Sequence, residues 1–233
     1  MITIRRAGER LRTRIGWLDS RHSFSFEEHI DPRHMGFRAL RVLNEHRVEP
    51  GHGFGTHSRR DIEIVTYVIA GVLRHEDSLG RGSVVEAGGV QRLTAGTGLL
   101  HGEFNGSESQ PLHLLEMWMT PERSRLPPAC DQRAFPPDRR HGRLTLLVSR
   151  NGREGSLTIP QDVAIFSTAL EPGARVTHAL QPGRHAWVQV VRGSIQLEQN
   201  GTALSAGDGA AIVDEPVELT ASSASETLLI DLA

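Results

Sequence analysis

No part of this sequence sustains the 3.6-residue apolar period of a long amphipathic helix; short runs rich in Val, Ile and Leu recur instead between Gly, Pro, Asn and Asp turns. β-Branched side chains lose freedom in helices and pack well on a pleated surface. Many short strands with turn signals between them describe a sandwich or barrel. The clearest strand covers residues 62–69, I-E-I-V-T-Y-V-I, and is closed by Ala70-Gly71. Residues 72–77 then reach a Ser78-Leu79-Gly80 turn, and 83–86 return. Residues 112–119, L-H-L-L-E-M-W-M, form another strand with His113 on its outer face. Before these, H-S-F-S-F (22–26) and A-L-R-V-L (39–43) read as strands separated by the Asp31-Pro32 turn.

The character changes over residues 121–143, where Pro121, Pro127, Pro128, Pro136 and Pro137 sit among Arg and Asp. Proline cannot donate to a ladder, so such a stretch does not run through a sheet interior, and it is expected to link two domains. Beyond it the second half repeats the first in outline. V-V-R-G-S-I (190–195) parallels V-I-A-G-V-L (68–73), and A-G-D-G (206–209) parallels A-G-G-V (87–90). The expected division is an N-terminal domain over 1–120, a linker over 121–143 and a C-terminal domain over 144–233, both built on one plan.

Bulk composition removes several function classes. Cys130 is the one cysteine, so no intrachain disulfide or thiolate cluster can form, and any metal must use His and carboxylate ligands. All 26 basic residues are Arg, yet the net charge is −2, which gives no electrostatic footprint for nucleic acid. No apolar run is long enough to span a bilayer, and the opening M-I-T-I-R-R lacks the apolar core of a secretory signal. A cytoplasmic location is the expectation.

The chemistry gathers in two blocks. One reads G-H-G-F-G-T-H-S-R-R-D-I-E (51–63), the other A-G-T-G-L-L-H-G-E-F-N (95–105). Residues two apart on a strand share a face, so His101 and Glu103 point together, as do His57 and Arg59. If the two strands are neighbours, these four side chains line one pocket. Two imidazoles and a carboxylate are the donors of non-haem Fe(II) oxygenases.

These blocks resemble the two motifs of the cupin superfamily, and more closely its pirin family. The first runs Gly51, five residues, His57, one residue, a position that is usually His, three residues, Glu63. The second runs Gly96-x-Gly98, two residues, His101, then Asn105. The pirin likeness lies in G-F-G-T-H (53–57), T-A-G-T-G (94–98) and H-G-E (101–103). It extends to G-W-L-D-S-R-H-S-F-S-F (16–26), D-P-R-H-M-G-F (31–37) and H-E-D-S-L-G (75–80). The resemblance implies an all-β bicupin: two cupin-type β-sandwich or jelly-roll barrels, with metal in the N-terminal one alone. Carried over by position, three His and one Glu would hold iron or a similar divalent metal at His57, residue 59, His101 and Glu103, Glu103 also serving as proton acceptor. It further implies either a small phenolic or enolic substrate, as for quercetin 2,3-dioxygenases, or a regulatory role with a protein partner.

Position 59 departs from that pattern, being Arg. A guanidinium has no lone pair and stays charged. At ~4 Å and an effective dielectric of ~20 it opposes a cation by about 4 kcal/mol per unit of charge product. Three arrangements compete. Arg59 turns to solvent or to Glu63, leaving a His57/His101/Glu103 metal site that Glu63 could join. Alternatively Arg59 folds inward onto Glu103 as a bidentate pair and no metal binds. In the third, Arg59 and the imidazoles take a small anionic or phenolic ligand. Elsewhere, His52 is read as a surface turn residue, His46 as exposed, His75 as a barrel-wall residue and not a ligand, Trp118 and Met117 as core. Trp17 is expected between domains, and Cys130 has no base beside it.

Overall fold

The computed structural model describes residues 1–80 and 82–233. Its elements are nearly all strands, as the short β-branched runs require. β1 (Ile2–Arg5) is followed by β2 (Leu11–Ile15), β3 (Leu18–His22), β4 (Leu40–Val48), β5 (Gly53–Arg59) and β6 (Glu63–Ala70). Then come β7 (Val72–Asp77), β8 (Gly82–Glu86), β9 (Gly89–Thr94), β10 (Leu99–Asn105), β11 (Leu112–Met119) and β12 (Ala129–Ala134). After a four-residue helix, α1 (Pro137–Arg140), the chain continues with β13 (Thr145–Ser149), β14 (Leu157–Thr158), β15 (Val163–Leu170), β16 (Arg175–His178) and β17 (His185–Arg192). It ends with β18 (Ser194–Leu197), β19 (Thr202–Ser205), β20 (Gly209–Val213), β21 (Val217–Ala221) and β22 (Ser225–Leu232). No helix among the described residues is long and apolar enough to cross a membrane.

Two compact units result. One comprises Leu11–Phe135 with Leu157–Gln161; the other comprises Met1–Arg10, Pro136–Ser156 and Asp162–Ala233. β1 therefore lies in the second unit, paired antiparallel to β20 with Ile4 opposite Ala210. The Pro-rich stretch 121–143 also does more than connect. Its residues Ala129–Ala134 form β12, on the edge of a sheet beside β9. An edge strand needs partners on one side only, which tolerates flanking prolines.

The first unit stacks a seven-stranded sheet, β12-β9-β6-β11-β4-β3-β2, on a four-stranded sheet, β5-β10-β7-β8. Two separate apolar clusters join the sheets. Leu18, Val48, Val68, Leu112 and Leu114 of the larger sheet meet Leu73 and Val85 of the smaller. Ile64 and Leu93 meet Leu99 in a separate cluster, with Trp118 against it. Gly53 permits the close approach of β5 to β10: a Cβ there would collide with the Glu103 carbonyl and the Phe104 Cα.

The second unit has the same design, with a large sheet running β1-β20-β17-β22-β15-β13 and a small one, β16-β21-β18-β19. Gly71 and Gly193, matched by the sequence repeat, both take positive φ (80° and 69°) and both sit where a Cβ would strike a backbone carbonyl, of Pro111 and Ala224 respectively. The core here is one continuous apolar cluster, including Phe166, Val188, Ile195, Leu197 and Leu219.

Candidate metal centre

The sequence places His101 and Glu103 on one face of a strand, and β10 does so, with the two side chains 1 % and 8 % exposed. β10 is an inner strand of the small sheet. On one side, β5 sets His57 opposite His101 and Arg59 opposite Leu99, with a register shift between His101 and Glu103. On the other, β7 sets His75 opposite Glu103 and Asp77 opposite His101. Polar side chains from three adjacent strands thus occupy the layer between the two apolar clusters. From the facing sheet, β4 and β11 add His46 and Glu116.

The imidazole rings lie close together at tilted angles. The His57 and His101 ring centroids are 4.4 Å apart and those of His75 and His101 5.4 Å apart. His57 Nδ1–H donates to the Gly55 carbonyl at 2.8 Å, a bond that leaves the Nε2 lone pair available. Neither ring nitrogen of His101 makes a hydrogen bond among the described residues. Burial, reinforced by His57 and His75, pushes His101 down to about 3, so it is neutral at ordinary pH. His75 is wholly buried, with no hydrogen bond at either nitrogen; Asp77 Oδ2 stands 3.5 Å from its Nε2.

Carboxylates complete the layer. Burial and the adjacent Glu116 carboxylate raise Glu103 above the usual range. Burial would raise Glu116 too, but its contact with His46 outweighs this and holds it low. His46 is 4 % exposed, not a surface residue as read from the sequence. Its Nδ1 meets Ser20 Oγ at 2.6 Å and its Nε2 lies 3.4 Å from Glu116 Oε2.

Arg59 takes up none of the carboxylates. Its guanidinium lies 4.4 Å from the Trp118 ring centroid, a cation–π position, and its Nη1 donates to the Ser58 carbonyl at 3.4 Å. No ion pair joins it to Glu103 or Glu63 among the described residues. Glu63 turns to the other face of β6 from Ile64, where Thr94 Oγ1 donates to its Oε2 at 2.6 Å. There burial lifts it to about 7. The sequence reading that let Glu63 join a metal shell fails on this alternation of faces.

The layer opens into a cavity of about 540 Å³ bounded by Trp17, Phe26, Phe54, His57, Arg59, Glu103 and Glu116. Trp17 was expected to pack between domains; within its unit it stacks on His52, with centroids 6.0 Å apart, and edges onto Phe54. Donor atoms of His75, His101 and Glu103 all lie within 4.8 Å of one another. Buried imidazoles without hydrogen-bond partners, next to a carboxylate, are the condition of a metal-ligand set from which the ion has been left out, so these residues fit a divalent metal. His75, read from the sequence as a barrel-wall residue, lies fully buried beside His101; sequence reasoning missed His46 and Glu116, which reach the layer from the facing sheet.

Residues 4–119 match the family model described as Pirin, and residues 146–232 the one described as Quercetinase C-terminal cupin domain. The chain belongs to the pirin family. This pirin is an all-β bicupin, as the resemblance implied. It is 43% identical, over 100% of its length and 99% of the relative's, to a protein of Escherichia coli (strain K12) named quercetin 2,3-dioxygenase. The crystal structure of the bacterial pirin YhhW in complex with nickel(II), from Escherichia coli, aligns with a TM-score of 0.94 at 43% identity, covering 100% of this chain and 99% of that one. The structure of YhaK from Escherichia coli aligns at 29% identity with a TM-score of 0.77, covering 95% and 93%.

Proposed function

We propose that this pirin is a divalent-metal-dependent dioxygenase of the quercetin 2,3-dioxygenase kind, acting on a small phenolic or enolic substrate. The observation that carries this reading is the pair His101 and Glu103, buried side by side, with both His101 nitrogens unengaged among the described residues and Glu103 on the cavity wall. His57, His101 and Glu103 would hold the metal, and Arg59, drawn aside onto Trp118, leaves room for it. This donor set suits Fe(II); the relative crystallised with nickel(II) supports a divalent ion of this class. When bound, the metal supplies Lewis-acid polarisation of a substrate oxygen and electronic access to O₂.

The protein does the remainder. Trp17, Phe26 and Phe54 present aromatic surface against which a planar phenol can stack. Glu103, on the cavity wall, accepts the proton of the substrate hydroxyl on a carboxylate oxygen. The Arg59 guanidinium, on the cavity wall, favours the resulting enolate. Metal analysis after reconstitution, with O₂ uptake on quercetin, tests the reading: uptake is expected in the parent and its loss in Glu103→Gln. A protein that takes up no metal sinks it.

A second reading is a metal-free ligand-binding or regulatory module, favoured by the fixed positive charge of Arg59 in the cavity wall. Arg59→His decides between them. Metal binding that appears only in the variant supports the module; equal stoichiometry in parent and variant supports the enzyme.

A further inference from the structure

We propose that His75 is a metal ligand in this pirin, supplying from β7 the imidazole that position 59 of β5 no longer provides; this rests on the metal-binding reading above. The register of β7 against β10 puts His75 directly opposite Glu103, and the alternation of the pleat points both into the layer that holds His101. A donor atom from each of the three lies within 4.8 Å of the others. Nitrogen and oxygen ligands bind at ~2.0–2.2 Å, so neighbouring donors in a filled shell stand roughly 3–3.5 Å apart. Small side-chain rotations close the group around an ion.

His75 has the Asp77 carboxylate as its charged neighbour. It is fully buried, and neither ring nitrogen makes a hydrogen bond among the described residues. Leaving a buried polar group unmade is costly. The Asp77 carboxylate, 3.5 Å from Nε2, gives the carboxylate–imidazole arrangement that fixes the tautomer of metal-bound histidines, and Nδ1 is then the ligating nitrogen. The buried imidazoles that border the cavity are committed at both nitrogens, His46 to Ser20 and Glu116 and His22 to Thr13 and Asn44. His57, His75, His101 and Glu103 together give three imidazoles and one carboxylate, with one imidazole moved from an edge strand to the strand on the far side of β10.

Cobalt(II), added to metal-stripped full-length protein, provides the test. Proton NMR in H₂O counts the hyperfine-shifted exchangeable imidazole N–H signals, and calorimetry gives the cobalt affinity. Three signals are expected in the parent. His75→Gln should show two, with affinity reduced at least tenfold, and His57→Gln should lose a different one. Two signals in the parent, with affinity in His75→Gln within twofold, overturn the proposal and leave the metal-binding reading intact. A cobalt–thiolate absorption band abolished by Cys130→Ser overturns it as well, by placing the ion among His75, Asp77 and Cys130, whose donor atoms also lie within 4.8 Å of one another. No cobalt bound by the parent overturns both. The parent's own count decides the matter even if His75→Gln does not fold.

Discussion

The two cupins of this chain share a strand order and differ in what fills them. In the first, β10 and β7 carry His101, Glu103 and His75 into the interior, with separate apolar clusters to either side. By place in the small sheet, their counterparts in the second are β21 and β18, which present Val217, Leu219, Ile195 and Leu197 to one unbroken cluster. One scaffold therefore tolerates either an apolar or an ionisable filling. The second cupin shows what the first forgoes in hydrophobic burial to keep its imidazoles and carboxylates inside.

The largest effect should come from putting the first cupin's chemistry into the second. Leu219→Glu buries a carboxyl among Ile195, Leu197 and Val217 with no partner, and should cost about 4 kcal/mol in urea unfolding. A loss near zero would show that the second interior is wetter than its packing implies.

Glu63 sharpens the contrast next. The sequence repeat that pairs Val68 with Val190 pairs it with His185, so the second cupin has no buried acid there. Because Glu63 is held near 7 against an ordinary 4.5, the folded chain keeps a proton that the unfolded chain releases. Its contribution to stability is thus fullest below pH ~4.5 and is lost as pH rises to ~7, by roughly 3 kcal/mol at ~1.4 kcal/mol per unit. In Glu63→Gln that slope should disappear, as followed by thermal melts across the window.

Making the first cupin resemble the second is the converse trial. Glu103→Leu removes a buried acid beside Glu116 and should stabilise the metal-free protein by about 1–2 kcal/mol while abolishing metal binding. Destabilisation in calorimetry would mean that Glu103 has a structural role. Smallest of all, Arg59→Ala should forfeit about 0.5–1 kcal/mol of cation–π contact with Trp118. It should also raise nickel affinity roughly tenfold, by removing part of the charge opposition.

How far the sequence led depends on the distance over which each feature is specified. His57, His101 and Glu103 could be named because i, i+2 alternation and turn-defining glycines are local. The two-cupin plan was visible in the repeated strand–glycine–hairpin pattern. His75 was set aside as wall, since its place depends on the register of β7 against β10, which no short window contains. Glu116 and His46 enter from a facing sheet and left no local sign. The direction of Arg59 followed from the presence of Trp118 across the interior, again a pairing made only by folding. β12 was hidden because prolines near an edge strand look the same as prolines in a connection.

β5 is the outermost member of its sheet, hydrogen-bonded to β10 on one flank only. His57 and Arg59 ride on this margin, whereas His101, Glu103 and His75 are anchored on strands braced from both sides. Peeling back β5 would open the interior layer without disturbing the strands that carry His101, Glu103 and His75. Within this sheet hydrogen exchange should therefore be faster along β5 than along β10.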